Sequence, residues 1–448
     1  MSRFLVTIGK MTAKVMQRFL CVGLLLAAAV TVGRGLHAAP YRFVISADRA
    51  NCRYALGEEA TFAVKCTDLA KGGKNAGGEV EIRLDNFGSD VQLKRKVDPS
   101  KENPIIVRGK LDRPGFLRVV VRDPKVGPNL FDEGRGSAVY SVGYAPEKIV
   151  QSVPRPADFV SYWRGEQARL EREVPLDPKV EKVESRSRGA FNFYLISFAT
   201  FHGKRVYGAL TEPKAPGKYP FLLCVPGAGP SWALDAMPKE TGMIRVVINI
   251  HPEPVPRDKK AAAKSYPGGE YPIWGILEGR EDYFYHDIWL GIDRAVSYLV
   301  KRDNVDRSQV LYTGGSQGGG SGLALMALNS AFTRGFVGVP AITDLTGCEA
   351  GRVSGWPRIL ERTKMADAAR KNAPYFDGAN FASMITIPIR VSVGLADTCC
   401  PPPAVYSGYN ALRSTDKAII ESPGVGHRIP GSTTKQVDAW LRSGSRKR

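Results

Sequence analysis

The stretch Val310-Leu-Tyr-Thr-Gly-Gly-Ser-Gln-Gly-Gly-Gly places Ser316 on a glycine-flanked turn between an apolar run and a helix-forming run at 323–328. This is the strand–turn–helix context of a G-x-S-x-G nucleophile elbow. The turn is too sharp for side chains at the positions two residues before and after the serine, which explains Gly314 and Gly318. The same turn pushes the serine hydroxyl out above the sheet. The sequence therefore predicts a serine nucleophile that needs a base and an acid from elsewhere in the chain.

Apolar runs alternate with helical patterns through the last two thirds of the chain. An amphipathic helix is predicted at 158–173. Strands are predicted at 191–198, 205–210, 221–225, 244–250, 310–313, 336–339, 388–393 and 418–421, with helices at 285–300, 319–330, 403–413 and 434–441. Continuous apolar strands that alternate with helices indicate a mostly parallel, doubly wound α/β sheet. Together with the elbow, this pattern predicts an α/β-hydrolase catalytic domain over residues 145–448.

His427 is the predicted base. It is the only one of the five histidines that follows Ser316, as the Ser–Asp/Glu–His order of α/β-hydrolases requires. It ends the run Ile419-Ile-Glu-Ser-Pro-Gly-Val-Gly-His, in which a glycine-bearing loop follows the last strand. Such a loop can bring the imidazole back to the serine.

Asp397 is the predicted acid, because it closes the strand-like run Ile387-Pro-Ile-Arg-Val-Ser-Val-Gly-Leu-Ala-Asp. There it would hold the correct tautomer of His427 and stabilise the imidazolium that forms during catalysis. Four other aspartates remain alternatives, although none of them closes such a strand: Asp344, Asp367, Asp377 and Asp416.

Two backbone amides are predicted to form an oxyanion hole. One belongs to Gln317, the residue after the nucleophile. The other is expected in the loop Pro226-Gly-Ala-Gly-Pro, which follows the apolar strand at 221–225 and has short side chains. Ala228 is the preferred donor in that loop, and Gly227 is the alternative.

The N-terminal segment resembles an export signal. The first 38 residues contain five basic residues and no acidic one, and their apolar run at 19–32 is about 14 residues long. A bilayer-spanning helix needs about 20 residues. We therefore expect residues 1–38 to be a signal peptide cleaved after Ala38, which predicts a secreted or periplasmic protein with no stable membrane anchor. An uncleaved anchor is the alternative.

Residues 40–144 contain short strand-like runs and almost no helical periodicity. Glycine, asparagine and proline separate runs at 41–45, 60–64, 80–84, 104–107, 116–121 and 138–142. This pattern is typical of a small β-sandwich of immunoglobulin type. No catalytic group stands out there, so we expect the β-sandwich to pack against the catalytic domain rather than to bind carbohydrate.

Charge and cysteine content exclude some classes of protein. The formal charge is +19, and without the signal 58 basic residues face 44 acidic ones, which leaves +14. No basic run is interleaved with aromatic residues, so we expect no nucleic-acid partner. Six cysteines lie beyond the signal, and none forms a C-x-x-C pair. We expect no metal or other cofactor. The sequence does not decide whether Cys52 and Cys66 form a disulfide, as cysteines of an exported protein can.

Three segments resemble the acetyl xylan esterase and cephalosporin C deacetylase family, which is carbohydrate esterase family seven. They are Ile276-Leu-Glu-Gly-Arg-Glu-Asp-Tyr-Phe-Tyr with Asp293-Arg-Ala, the elbow Gly314-Gly-Ser-Gln-Gly-Gly, and Val393-Gly-Leu-Ala-Asp with Cys400-Pro-Pro and Tyr409-Asn. The resemblance covers about residues 154–427. It implies that Ser316, Asp397 and His427 are the family's catalytic serine, aspartate and histidine. It also implies a structural role for Cys400, whereas Cys399 is additional.

The chain departs from the family pattern beside the elbow. Ala228 stands where the family has a tyrosine, and Ile250-His-Pro-Glu replaces an Arg-Gly-Gln segment, so that His251 lies near the family's arginine. The resemblance also implies a homo-oligomer, and the additional β-sandwich would alter the family's ring-like assembly. These departures affect the pocket wall and the acyl preference.

The sequence therefore predicts an exported serine carboxylesterase that removes O-acetyl groups from xylan-type polysaccharides or oligosaccharides. Its expected partner is an acetylated carbohydrate substrate. Two alternatives remain. The first is an α/β-hydrolase with another acyl specificity or with peptidase activity. The second is a carbohydrate-binding protein with a decayed hydrolase domain.

Overall fold

The structure is a computed structural model that describes residues 41–68, 78–125, 135–237 and 242–443. The predicted signal peptide lies outside these residues. In the described part of the chain, no helix combines the length and the apolar character that crossing a bilayer requires.

The N-terminal part of the chain forms two β-sheets. Its strands are β1 Tyr41–Ala47, β2 Arg53–Tyr54, β3 Ala60–Asp68, β4 Val80–Asn86, β5 Ser89–Val97, β6 Ile105–Gly109, β7 Gly115–Arg122 and β8 Ser137–Tyr144. One sheet has the order β1-β3-β6 and the other has the order β2-β8-β7-β4-β5. Alternate residues point inward, as Tyr41, Phe43 and Ile45 do, and the inner faces of both sheets share one core. This is the predicted β-sandwich.

The rest of the described chain alternates between strands and helices. Its elements are α1 Phe159–Glu173, β9 Lys179–Lys182, β10 Phe191–Ala199, β11 Arg205–Pro213, β12 Tyr219–Val225, β13 Ile244–Ile248, α2 Lys259–Ser265, α3 Phe284–Leu299, β14 Val305–Gly315, α4 Gln317–Leu328, β15 Arg334–Gly338, α5 Ile359–Arg362, α6 Asp367–Asn372, α7 Gly378–Ala382, β16 Ile389–Gly394, α8 Pro402–Ala411, β17 Lys417–Ser422 and α9 Gly431–Ser443. The strands form one sheet of order β17-β16-β15-β14-β12-β13-β11-β10-β9.

The sheet is mostly parallel, which confirms the predicted α/β-hydrolase fold. Strands β12 to β17 are parallel to their neighbours among themselves, whereas β9, β10 and β11 pair antiparallel. The chain places β13 on one side of β12 and β14 on the other. This reversal opens a crevice at the carboxyl ends of β12 and β14, which is where open α/β sheets bind ligands.

The β-sandwich packs directly against the α/β part. Arg53 of β2 forms an ion pair with Glu421 of β17 at 2.8 Å and donates to the Tyr406 hydroxyl of α8 at 2.6 Å. The Ser141 hydroxyl of β8 donates to the carbonyl of Leu395, just beyond the end of β16. The β-sandwich therefore contacts the segments that lead into the loops of the predicted acid and base.

Some elements were not predicted. Strand β5 carries alternating polar residues at the edge of its sheet, and β9 is a short, mostly exposed edge strand. Both have little apolar periodicity, because an edge strand buries few side chains. The described cysteines all have free thiols. The Cys52–Cys66 disulfide that the sequence left undecided is therefore not formed in this structure.

Candidate active site

The predicted elbow is a strained turn between β14 and α4. Ser316 has φ 56° and ψ −122°, a conformation that a residue with a side chain rarely adopts. Such a backbone costs on the order of 1–3 kcal/mol and persists only where its surroundings impose it. Here the Ser316 amide donates to the Gly338 carbonyl at 2.8 Å, and its carbonyl accepts from the Ala341 amide at 2.9 Å. These bonds hold the turn that lifts the hydroxyl above the sheet.

The glycines on either side of the serine are required by close backbone approach. A Cβ atom on Gly318 would lie 2.0 Å from the Val225 carbonyl oxygen, and one on Gly314 would lie 2.6 Å from the Gly318 carbonyl oxygen. Neither separation is sterically allowed. The first turn of α4 therefore rests on the end of β12, where the predicted oxyanion loop begins.

The structure brings the predicted base and acid to the elbow in one hydrogen-bonded line. Nε2 of His427 lies 2.9 Å from Oγ of Ser316, and Nδ1 of His427 lies 2.7 Å from Oδ2 of Asp397. All three residues are buried. Because Asp397 accepts the Nδ1 proton, the Nε2 lone pair of His427 is left to take the serine proton.

The second oxygen of Asp397 is fixed by the turn that follows it. Oδ1 accepts backbone hydrogen bonds from Cys399 at 2.8 Å and from Cys400 at 2.9 Å. The alternative acids are engaged elsewhere: Asp344 with Arg352, Asp367 with Arg370, Asp416 with Arg390, and Asp377 with the amides of Asp344 and Leu345. Of these aspartates, the structure places Asp397 alone against His427.

The surroundings of His427 favour its charged form. Burial acts to lower the pKa of His427, but the Asp397 carboxylate, with a smaller contribution from Cys399, holds that pKa well above its usual value. An imidazolium formed by proton transfer from Ser316 would therefore be stabilised in place. This arrangement can activate a serine for attack on an acyl carbon.

The two predicted oxyanion donors lie at the crevice. Gln317 is the first residue of α4, so its amide belongs to the unsatisfied donors of a helix N-terminus. Ala228 lies in the loop that leaves β12 beside the elbow, as does its alternative Gly227. In the residues that the structure describes, neither the Gln317 amide nor the Ala228 amide donates to another backbone group outside regular elements. Both remain available for an oxyanion.

The side chain of Gln317 is held by two tyrosines that the sequence did not single out. Its Oε1 accepts hydrogen bonds from the Tyr271 hydroxyl at 2.5 Å and from the Tyr285 hydroxyl at 2.8 Å. Burial raises the pKa of both phenols, so they remain neutral donors. The glutamine side chain thereby anchors the residue whose amide is predicted to bind the oxyanion.

His251 fastens the oxyanion loop. Its Nε2 lies 2.9 Å from the Gly229 carbonyl oxygen and therefore donates to it, and its ring packs edge-on against Tyr271. Burial lowers the pKa of His251, so the ring is neutral. Asn249 completes the support, because its side chain accepts from the Trp232 amide at 2.9 Å and donates to the Trp232 carbonyl at 3.1 Å. A neutral donor thus occupies the region where the family resemblance expects an arginine.

Two cysteine thiols lie beside the predicted base. The sulfur atoms of Cys399 and Cys400 and a ring nitrogen of His427 all lie within 4.8 Å of one another. Hydrogen bonding with Cys400 holds the pKa of the Cys399 thiol below its usual value, whereas burial raises the pKa of Cys400 well above its usual value. The sequence indicated only a structural role for Cys400, since a vicinal pair does not reveal where its thiols point.

The family of this chain is established by its similarity to known proteins. The family model of acetyl xylan esterase (AXE1) matches residues 147–443. The chain belongs to the acetyl xylan esterase family. It is an ester hydrolase, as the sequence predicted, and the match begins directly after β8 and includes every element of the large sheet.

Individual relatives agree with this assignment. Acetyl esterase Axe7A of Xylanibacter ruminicola is 28% identical over 397 residues, which cover 84% of this chain and 88% of the relative. The acetyl xylan esterase of Paenibacillus sp. R4 is similar in structure with a TM-score of 0.57 at 22% identity, over 66% of this chain and 98% of that one. Acetyl xylan esterase 1 of Thermoanaerobacterium sp. JW/SL YS485 has a TM-score of 0.56 at 22% identity, over 66% and 96%. The two structures show a shared fold.

Proposed function

We propose that this esterase removes O-acetyl groups from xylan-type polysaccharides or oligosaccharides through an acyl-enzyme on Ser316. The observation that carries the proposal is the hydrogen-bonded line from Ser316 through His427 to Asp397, at 2.9 and 2.7 Å. Membership of the acetyl xylan esterase family supports the carbohydrate ester as substrate. The relative named acetyl esterase supports the acetyl group.

The proposed reaction has two steps. In the first, Oγ of Ser316 attacks the ester carbonyl carbon while its proton passes to Nε2 of His427, and the amides of Gln317 and Ala228 hold the oxyanion. The tetrahedral intermediate then breaks its bond to the sugar oxygen, which takes the proton from His427 and leaves as an alcohol. In the second step, water attacks the acetyl carbon of the acetyl–serine ester and gives a proton to Nε2 of His427. The bond from that carbon to Oγ of Ser316 then breaks, Oγ takes the proton from His427, and acetic acid leaves and ionises to acetate.

We also propose that the protein acts outside the cytoplasm, in the periplasm or after secretion. Support comes from the basic start, the short apolar run and the small residues before Pro40. A polymeric acetylated substrate fits that location, because xylan-type polysaccharides lie outside the cell. N-terminal sequencing of the exported protein tests this proposal, and a mature chain that begins near residue 39 is the expected result.

The decisive test is hydrolysis of p-nitrophenyl acetate and of acetylated xylan by wild type and Ser316→Ala. Loss of the nucleophile should lower kcat by about a millionfold, and a fluorophosphonate probe should label wild type but not the variant. Ser330→Ala is the matched control, because Ser330 is an exposed serine just beyond α4 and should leave both readouts unchanged. Equal rates for wild type and Ser316→Ala would overturn the proposal.

The same assay separates the alternative functions. A panel of p-nitrophenyl esters should show a preference for acetate over longer acyl chains. A preference for longer chains, or cleavage of a proline-containing peptide, would instead favour the esterase of other specificity or the peptidase. Strong xylan binding without turnover and without fluorophosphonate labelling would favour the carbohydrate-binding protein.

A further inference from the structure

Three metal-ligating groups converge at the active site although the proposed reaction uses only one of them. The thiols of Cys399 and Cys400 and a ring nitrogen of His427 lie within 4.8 Å of one another. In the described part of the chain, this is the group of histidine, cysteine and acidic side chains whose ligand atoms are close enough to share a cation. Cys400 is buried, and Cys399 is half-buried, so the cluster is reached from solvent at Cys399.

The turn that orients the acid also presents the thiols. The backbone amides of Cys399 and Cys400 both donate to Oδ1 of Asp397, and Oδ2 of the same carboxylate accepts from His427. One carboxylate therefore fixes the main chain of both cysteines and the imidazole. The hydrogen bonds that hold the predicted triad therefore also hold the imidazole and the main chain that carries both thiols, and the three ligand atoms already lie within 4.8 Å of one another without a cation.

We propose that Cys399, Cys400 and His427 form a binding site for a thiophilic divalent cation such as Zn²⁺ or Cd²⁺, and that the bound cation switches the esterase off. Two sulfurs and one imidazole nitrogen are a ligand set suited to such ions. When Zn–S distances are about 2.3 Å, two sulfur atoms bound to the same tetrahedral Zn²⁺ ion lie about 3.8 Å from each other. The cluster therefore needs to contract by about 1 Å at most.

Inhibition follows from the position of the imidazole, and this part of the inference depends on the proposed function. Nδ1 of His427 is engaged by Asp397 at 2.7 Å, so we assign coordination to Nε2, where a cation would occupy the lone pair that would accept the proton of Ser316. The Ser316 hydroxyl lies 2.9 Å from that nitrogen, so it or a water molecule can complete a four-coordinate site. Binding releases the thiol protons to solvent. The cation and the serine proton thus compete for one nitrogen.

The test titrates the metal-free, full-length protein with Cd²⁺ while two signals are recorded. The thiolate-to-cadmium charge-transfer absorbance reports binding, and p-nitrophenyl acetate hydrolysis reports activity. We expect one Cd²⁺ per chain, an activity that falls to near zero with the same midpoint, and full recovery after addition of EDTA. Zn²⁺ alone should inhibit with the same stoichiometry, and Cd²⁺ added afterwards should displace it from the same site.

Variants assign the signal to the cluster. Cys399→Ser and Cys400→Ser should each weaken Cd²⁺ binding by at least about 100-fold, because even the outer partners of metal ligands are worth about 10- to 100-fold in affinity. Inhibition is expressed relative to each variant's own metal-free activity, and circular dichroism verifies its fold. Cys348→Ser is the matched control, since Cys348 is a half-buried free thiol outside the cluster, and it should bind and respond like wild type.

The outcomes distinguish the inference from the function on which it depends. Unchanged Cd²⁺ affinity in Cys399→Ser and Cys400→Ser, or stoichiometric binding with full activity, would overturn the inference. A metal-free wild type that binds one Cd²⁺ through its thiols but hydrolyses no ester would overturn the proposed function and leave the metal site standing.

Discussion

Replacing Asp397 with asparagine is expected to disable the enzyme by reversing one hydrogen bond. Two backbone amides, those of Cys399 and Cys400, donate to Oδ1 of Asp397 at 2.8 and 2.9 Å. In Asp397→Asn these amides require the remaining oxygen of the side chain. The new NH₂ group must then face Nδ1 of His427, where it donates instead of accepting. This fixes the imidazole with its proton on Nε2, and the base has no lone pair for Ser316.

The size of the effect follows from the cost of the opposite orientation. Turning the amide round would leave two buried backbone donors unpaired, at about 1–3 kcal/mol each. A total cost of about 2–6 kcal/mol limits the population of the active tautomer to roughly one molecule in 30 at the low end and roughly one in 25,000 at the high end. We therefore expect kcat to fall by about 30- to 25,000-fold. A triad aspartate replaced by asparagine in another serine hydrolase lost about 10,000-fold, which is within this range.

The assay is steady-state hydrolysis of p-nitrophenyl acetate, with the rate of fluorophosphonate labelling as an independent measure of Ser316 activation. Asp416→Asn is the matched control, because Asp416 is an exposed aspartate that pairs with Arg390 and should keep wild-type rates. A loss of less than tenfold in Asp397→Asn, in a protein with a wild-type melting temperature, would refute the reasoning. It would show that Asp397 does not set the tautomer of His427.

Three further predictions concern the supports of the site and of the fold. His251→Phe removes the donor to the Gly229 carbonyl and should lower kcat about tenfold, whereas His251→Gln keeps a donor and should retain a kcat near that of wild type. An equal loss of kcat in both variants would contradict this role of His251. Gly318→Ala places a Cβ atom 2.0 Å from the Val225 carbonyl oxygen and should lower the melting temperature sharply or prevent folding; an unchanged melting curve would contradict the packing. Burial alone would raise the pKa of Asp287, but hydrogen bonds from two histidines and a lysine lower it from 3.8 to about 2. Asp287→Asn should therefore cost about 2 kcal/mol in urea unfolding at neutral pH, and the difference should shrink as pH falls from about 4 to about 2; a difference independent of pH would count against the ion cluster.

The sequence contained most of what positions the predicted nucleophile. Glycines around Ser316, a strand-like run that Asp397 closes and a single downstream histidine are signals that the sequence itself contains. The structure joins the three side chains in one hydrogen-bonded line. Buried central strands were also predictable, because each is a continuous apolar run between turns. Edge strands β5 and β9 were missed for the opposite reason, since exposure on one side removes the apolar signal.

The supports of the site could not be predicted, because they join residues far apart in the chain. Gln317 is held by Tyr271 and Tyr285, which lie 46 and 32 residues earlier. His251 donates to the Gly229 carbonyl, which lies 22 residues earlier in the chain. No periodicity or motif records such contacts, and a vicinal cysteine pair gives no indication that both thiols face the base.

The contacts between the β-sandwich and the catalytic part have a consequence for protein engineering. Arg53 is the cation that pairs with Glu421 on the strand leading to the loop of His427, and Ser141 caps the Leu395 carbonyl two residues before Asp397. A chain trimmed to begin after Tyr144 would keep the elbow but would uncover the ring of Tyr406. That ring packs against the ring of Phe116, with 5.5 Å between the ring centroids. A minimal esterase made from this protein by deletion alone would therefore expose an apolar surface to solvent. Its newly exposed surface would have to be redesigned together with the cut.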